Sequence, residues 1–251
     1  MTSAAPLPLR WRTATVIARR PETSQVATLV LDVPGWPGHR AGQHVDLRLT
    51  AADGYQAQRS YSIASANDGT AVAITVERVA DGEVSPFLLD EVRISDDLEL
   101  RGPIGAYFVW NPEAGNPLLL IAGGSGVAPL MSILRARAQA PDPPAARLLY
   151  SSRDEASIIY RDELDRMATA TGGPGILYTL TRERPTVWSG ALGRIDRAML
   201  ERVGFPPTDE PLAFVCGPTP FVEQVAADLV ALGYPGERIR TERFGPTGAV
   251  G

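Results

Sequence analysis

The rhythm of apolar residues changes once along this chain, near residue 110, and that change limits the fold more than any other feature. Before it, short β-rich runs at 13–18, 26–33, 44–49, 58–64 and 71–79 are separated by turn residues such as Pro34, Gly35, Asp53, Gly54, Asp68 and Gly69. Close spacing of this kind suits a small antiparallel barrel. After it, apolar runs of strand length at 118–122, 147–150, 176–180 and 212–215 alternate with helical stretches at 127–139, 160–170, 196–203 and 219–232. Strands separated by crossover helices indicate a parallel sheet with both faces covered. A last strand ends at Glu242-Arg243-Phe244-Gly245. Between the halves, Asn111-Pro112-Glu113-Ala114-Gly115-Asn116-Pro117 opposes regular structure and reads as a linker. The expected organisation is β followed by α/β: an antiparallel six-stranded barrel over 1–110, a linker over 111–117, and a five-stranded parallel α/β domain over 118–251.

Bulk properties exclude several functions. A length of 251 residues with 44% hydrophobic content is enough for two ordinary cores. A net charge of -5 leaves no overall basic field for a phosphodiester backbone, so no nucleic-acid partner is expected. The first twelve residues lack the apolar run of a signal peptide, and glycines 123, 124 and 126 break the longest apolar stretch, so a cytoplasmic protein without a membrane partner is expected. The one cysteine, Cys216, permits neither an internal disulfide nor a four-thiolate iron–sulfur cage. Redox chemistry here would need an organic cofactor. Every basic residue is arginine, which excludes a Walker or Schiff-base lysine. His39 and His44 are too few to argue for a metal, and a structural or surface role is expected of both.

Chemically unusual residues gather at the carboxyl ends of the second-half strands, where open parallel sheets bind ligands. The first strand runs into Gly123-Gly124-Ser125-Gly126-Val127-Ala128-Pro129, a turn in which bare backbone and a helix start can receive a pyrophosphate. A tight strand-to-helix turn is the plainer alternative. The next strands end at Ser151-Ser152-Arg153, Thr179-Leu180-Thr181-Arg182 and Cys216-Gly217-Pro218. Arg153 and Arg182, each ordinarily a solvated residue, could together grip a 2'-phosphate with bidentate guanidinium bonds. Ser152-Arg153 favours NADPH on this reading, whereas Asp154 or Glu155 turned inward would favour NADH.

In the first half, alternation puts Arg59 and Tyr61 on one strand face and Ser60 and Ser62 on the other. A cation beside an aromatic ring suits a nucleotide, the guanidinium taking a diphosphate and the phenol packing on a flat heterocycle. Farther on, Val76-Glu77-Arg78 and Gly82-Glu83-Val84-Ser85-Pro86 lead into a helix, with Ser85 expected as N-cap and Pro86 as first helical residue.

These motifs, in this order, resemble the ferredoxin-NADP+ reductase superfamily over nearly the whole chain. Arg59 to Ser62 is similar to its R-x-Y-S flavin motif, Gly82 to Ser85 to its G-x-x-S diphosphate loop, Gly123 to Pro129 to its G-G-x-G-x-x-P nucleotide loop, and Cys216 to Pro218 to its C-G-P motif. The resemblance implies a flavin-binding barrel followed by a nicotinamide-binding domain. It implies FAD as cofactor, with Arg59, Ser60, Tyr61, Ser62, Val76, Arg78, Gly82, Val84 and Ser85 around it. It implies NADPH, or NADH, at Gly124, Gly126, Pro129, Ser152, Arg153, Thr181, Arg182, Cys216, Gly217 and Pro218. Ser62, Cys216 and Glu242 would surround the reacting centre, and Phe244 would cover one flavin face or else cap the sheet. Electrons would leave to a separate acceptor, such as a ferredoxin or a partner oxidoreductase. A reductase that releases reduced flavin, a non-catalytic flavin-binding redox subunit, and a plain nucleotide-binding module fused to an unrelated barrel are the alternatives.

Overall fold

A computed structural model describes residues 9–69 and 71–245. The first half forms β1 (Trp11–Thr23), β2 (Val26–Asp32), β3 (His44–Thr50), β4 (Gln56–Ser62), β5 (Ala71–Glu77), helix α1 (Val84–Asp90) and β6 (Asp97–Ile104). The strands form one antiparallel sheet in the order β4-β3-β6-β1-β2-β5. An antiparallel bridge between Ile63 and Ile74 brings the two edge strands together and closes the sheet into a barrel. Closure follows from the alternation of apolar residues: Leu29 and Leu31 of β2, Val45 and Leu47 of β3, and Val72, Ile74 and Val76 of β5 are fully buried in one core. α1 covers that core with Val84, Leu88 and Leu89. Its start differs from expectation. Glu83 occupies the N-cap position, but its side chain accepts from the Tyr55 hydroxyl at 2.9 Å rather than capping the helix, and Ser85, inside the first turn, accepts a 3.0 Å bond at Oγ from the Val79 amide. The Ser85 hydroxyl therefore ties the loop from residue 79 to the helix.

The second half comprises β7 (Leu118–Gly123), α2 (Val127–Ala138), β8 (Ala146–Ser152), α3 (Arg161–Thr169), β9 (Gly175–Leu180), β10 (Ala191–Leu192), α4 (Arg197–Val203), β11 (Leu212–Pro218), α5 (Thr219–Ala231) and β12 (Ile239–Phe244). All pairings are parallel, in the order β10-β9-β8-β7-β11-β12. The sheet has six strands rather than five. The addition is the two-residue β10, which pairs with Thr179 and Leu180 and is too short for any periodicity to reveal. Alternate residues of β7 enter opposite cores, Leu118, Leu120 and Ala122 on one face and Leu119 and Ile121 on the other. The first of these cores also takes Val26, Ala41, Ala64, Ala73, Phe108 and Trp110 from the first half of the chain. Residues 111–117 hold a single 3₁₀ turn, Pro112–Ala114, started by the Asn111 side chain accepting from the Glu113 amide. Among the described residues no helix is long and apolar enough to cross a membrane.

Candidate functional site

The parallel sheet reverses strand order between β7 and β11, and ligands of such sheets bind beyond the strand ends at that reversal. The turn after β7 and the Cys216-Gly217-Pro218 end of β11 lie side by side there. Their glycines serve different needs. At Gly126 a Cβ would lie 2.1 Å from the Cys216 carbonyl oxygen, so a bare α-carbon is required for the turn to pass over β11. Gly124, at φ +56°, faces open space, and it is the glycine that leaves room for an incoming group. At Gly123 and Gly217 a Cβ would press on the Phe221 ring.

A cleft of about 370 Å³ opens at this point. One wall is the nucleotide-side constellation expected from sequence: Gly124, Ser152, Arg153, Thr181, Arg182, Pro218 and Phe244. Its strand-end loops are tied together, the Thr181 amide and Oγ1 both donating to the Ser152 carbonyl at 2.9 and 3.2 Å and the Arg182 amide to the Arg153 carbonyl at 2.9 Å. Gly126 and Pro129 are buried behind this wall in the turn and first turn of α2. The other wall comes from the barrel, from Thr23 to Val26, which no motif announced, and from Glu77 of the Val76-Glu77-Arg78 run. Glu77 Oε1 stands 3.8 Å from Arg153 Nη2, whereas Arg182 has no ion pair among the described residues. Phe221 also lines the cleft; its only sequence signal is its place just after Cys216-Gly217-Pro218.

Around the first-half motif, Ser62 Oγ donates to Glu242 Oε1 at 3.1 Å, and Glu242 is in register with Cys216 on the neighbouring strand. Burial pushes the Glu242 carboxyl above its ordinary range, against the bond from Ser62. Burial, and then the nearby Glu242 carboxylate, push the Cys216 thiol well up, so it is held as a neutral thiol within the core. Ser62, Cys216 and Glu242 are thus brought to one place. Tyr61 packs partly on the barrel core, where burial raises its hydroxyl to about 12. Ser60 is turned to the other strand face and donates to Asp46 at 2.6 Å.

The basic groups divide sharply. Arg59 is exposed, and its hydrogen bond is to the adjacent Gln58 carbonyl at 2.7 Å, with no carboxylate paired to it among the described residues. Its charge is therefore free for a diphosphate, which is the fit an FAD handle requires. Arg78 is different: its guanidinium is forked onto Asp90 of α1, at 3.0 Å for the Nη1 bond. Val76 has its side chain wholly in the barrel core. Val84 is likewise buried, and Gly82 closes the turn beside Ser85 with its amide on the Val79 carbonyl at 3.0 Å. His39 is buried, accepting at Nδ1 from Trp36 at 3.2 Å, with Nε2 3.1 Å from the Ser65 carbonyl. Among the described residues no cluster of histidine, cysteine and carboxylates forms a metal site.

Comparison with known proteins gives two family matches in sequence order. Residues 13–109 match an oxidoreductase FAD-binding domain and residues 120–227 an oxidoreductase NAD-binding domain. An NADH-cytochrome b5 reductase 1 from Aspergillus terreus is 30% identical over 211 residues, covering 81% of this chain and 69% of that protein. A 3-ketosteroid-9-alpha-monooxygenase ferredoxin reductase component from Mycobacterium tuberculosis is 32% identical, covering 89% of this chain and 62% of its own length. A flavohemoprotein from Pseudomonas putida is 29% identical, and the chain spans 59% of its length. Among solved structures, the flavohem-like FAD/NAD-binding domain of a nitric oxide dioxygenase from Vibrio cholerae superposes with a TM-score of 0.82 at 26% identity, covering 94% of this chain and 99% of that one.

Proposed function

This chain belongs to the ferredoxin-NADP+ reductase superfamily, and from that membership we propose that it is a flavin-dependent NAD(P)H reductase serving a separate one-electron acceptor protein. The observation that carries the reading is the bond from Ser62 to Glu242, which places the strand of the flavin motif against the strand ends of the nucleotide domain. Held by Arg59 and Tyr61, FAD would supply chemistry that links two-electron exchange with a nicotinamide to one-electron exchange with an acceptor.

The protein's own contribution is grip, orientation and charge. Arg59 holds the FAD diphosphate, and Tyr61 gives the ring system an aromatic wall already braced by the barrel core. The Ser62 hydroxyl, its proton directed to Glu242, presents its oxygen as an acceptor at the ring edge. Across the cleft the open space at Gly124 admits the dinucleotide pyrophosphate, and Arg153 and Arg182 lie at strand ends suited to the adenosine phosphate. Glu242, half-buried with an elevated carboxyl pKa, holds a proton beside the reacting rings more readily than an exposed glutamate. The domain division proposed for this function is a barrel over 1–110, a linker over 111–117 and a nucleotide domain over 118–251, of which residues 1–8, 70 and 246–251 lie outside the described residues.

An acceptor such as a ferredoxin or an oxygenase partner is in keeping with the reductase component of a monooxygenase being a relative. The test is direct. The purified protein, with its extracted cofactor identified by mass, is mixed anaerobically with NADH or NADPH and then with a one-electron acceptor dye. FAD in the extract, bleaching by a nucleotide and turnover of the dye support the proposal. A colourless protein whose melting is unmoved by FAD and both nucleotides overturns it.

A further inference from the structure

α2 grows directly from the glycine turn of the cleft, yet its far side is fastened to the barrel. The fully buried Ser132 donates from Oγ to the Ser65 carbonyl at 2.7 Å. One turn on, Arg135 Nη1 donates to the Ala64 carbonyl at 2.8 Å. The same guanidinium is forked onto Glu163 of α3 at 2.9 and 2.7 Å and lies 5.2 Å over the Tyr160 ring, whose hydroxyl is bonded to Thr75 of β5. The amide of Ala64 is already used by the Ala73 carbonyl in closing the barrel, so this segment is held from both sides. Ala64 and Ser65 are two and three residues beyond Ser62.

We infer that Ser132 and Arg135 are positioning residues, whose bonds to the Ser65 and Ala64 carbonyls lock the flavin-motif segment to the helix that carries the dinucleotide turn. The inference rests on the reductase reading above. The two halves share an apolar core, whose contacts are not directional, so the registry between them is set by the hydrogen bonds of this seam. Without Ser132 the Ser65 carbonyl keeps only His39 Nε2, at 3.1 Å, and without Arg135 the Ala64 carbonyl loses its side-chain donor, so the part-buried seam favours one registry. Registry matters for a reaction between two bound rings, because a misplacement of about 1 Å can cost roughly 10²-fold in rate.

The variants Ser132→Ala and Arg135→Lys test this. Each is purified with bound flavin, its flavin content and melting temperature are measured, and NADP+ and NAD+ affinities are titrated. The long-wavelength charge-transfer absorbance on anaerobic mixing with NADH or NADPH is then recorded, with the flavin reduction rate and its deuterium isotope effect. The expected result is flavin content and dinucleotide affinity within threefold of wild type, a weakened charge-transfer band, and reduction slowed tenfold or more in both variants. Lower melting temperatures with the band and reduction rate unchanged would overturn the inference, leaving the seam a support of the fold only. A wild-type protein that shows neither band nor reduction with either nucleotide overturns the reductase reading and the inference with it.

Discussion

Ser62 and Glu242, 180 residues apart in sequence, share a 3.1 Å hydrogen bond that joins the end of β4 to β12. Burial raises the Glu242 carboxyl above the ordinary glutamate value of 4.5. A raised pKa in the folded state means that this group's contribution to stability is complete below the unfolded value and is lost as pH rises through the folded one. Glu242→Gln keeps an acceptor for Ser62 without the charge. It is expected to melt about 2 °C above wild type at pH 8, with the gap closing as pH is lowered toward 4.5. Melting curves across that range check it, and a gap that did not change with pH would remove the carboxylate charge as the cause.

The two turn glycines should separate stability from binding. Gly126→Ala forces a Cβ onto the Cys216 carbonyl and is expected to cost about 3 kcal/mol in a urea titration. Gly124→Ala meets open space and has only its left-handed backbone to strain, roughly 1 kcal/mol. Its larger effect is expected on NAD(P)+ affinity, about tenfold weaker by titration.

Arg59→Ala should lose cofactor before it loses fold, because the Arg59 side chain is exposed and takes no part in the barrel core. Flavin per protein after gel filtration is expected to fall by more than half while far-ultraviolet dichroism stays at the wild-type level. Arg78→Ala, which breaks the pair with Asp90, is expected to retain more flavin than Arg59→Ala. The reverse order would transfer the diphosphate role to Arg78.

The role proposed for Arg153 in nucleotide choice is tested at its 3.8 Å pair with Glu77. Arg153→Ala is expected to lower kcat/KM for NADPH relative to NADH by about tenfold, the scale of a charge-assisted hydrogen bond. Glu77→Gln frees Arg153 and removes a competing anion, and should raise the same ratio about threefold, as befits an exposed pair. Steady-state rates with both nucleotides decide this, and an unchanged ratio in Arg153→Ala would take Arg153 out of the phosphate site.

Local pattern in the sequence determined the kind of each half, the four motifs and their order, because alternation, helical spacing and turn residues act over a few neighbours. It also pointed to the sheet edge at Gly124, Arg153, Arg182 and Cys216, since every strand of a parallel sheet ends on the same side. It left β10 unseen, two residues that extend only because β9 offers them an open edge. It gave Ser85 a capping role, whereas the chain uses that hydroxyl to hold the Val79 amide. Tertiary structure alone decided which glycine makes room and which avoids a collision, that Arg78 is bound to Asp90 while Arg59 is free, and that Glu77 faces Arg153. Each of these depends on contacts between segments tens of residues apart, and no short-range preference encodes which distant carboxylate or carbonyl a side chain will meet.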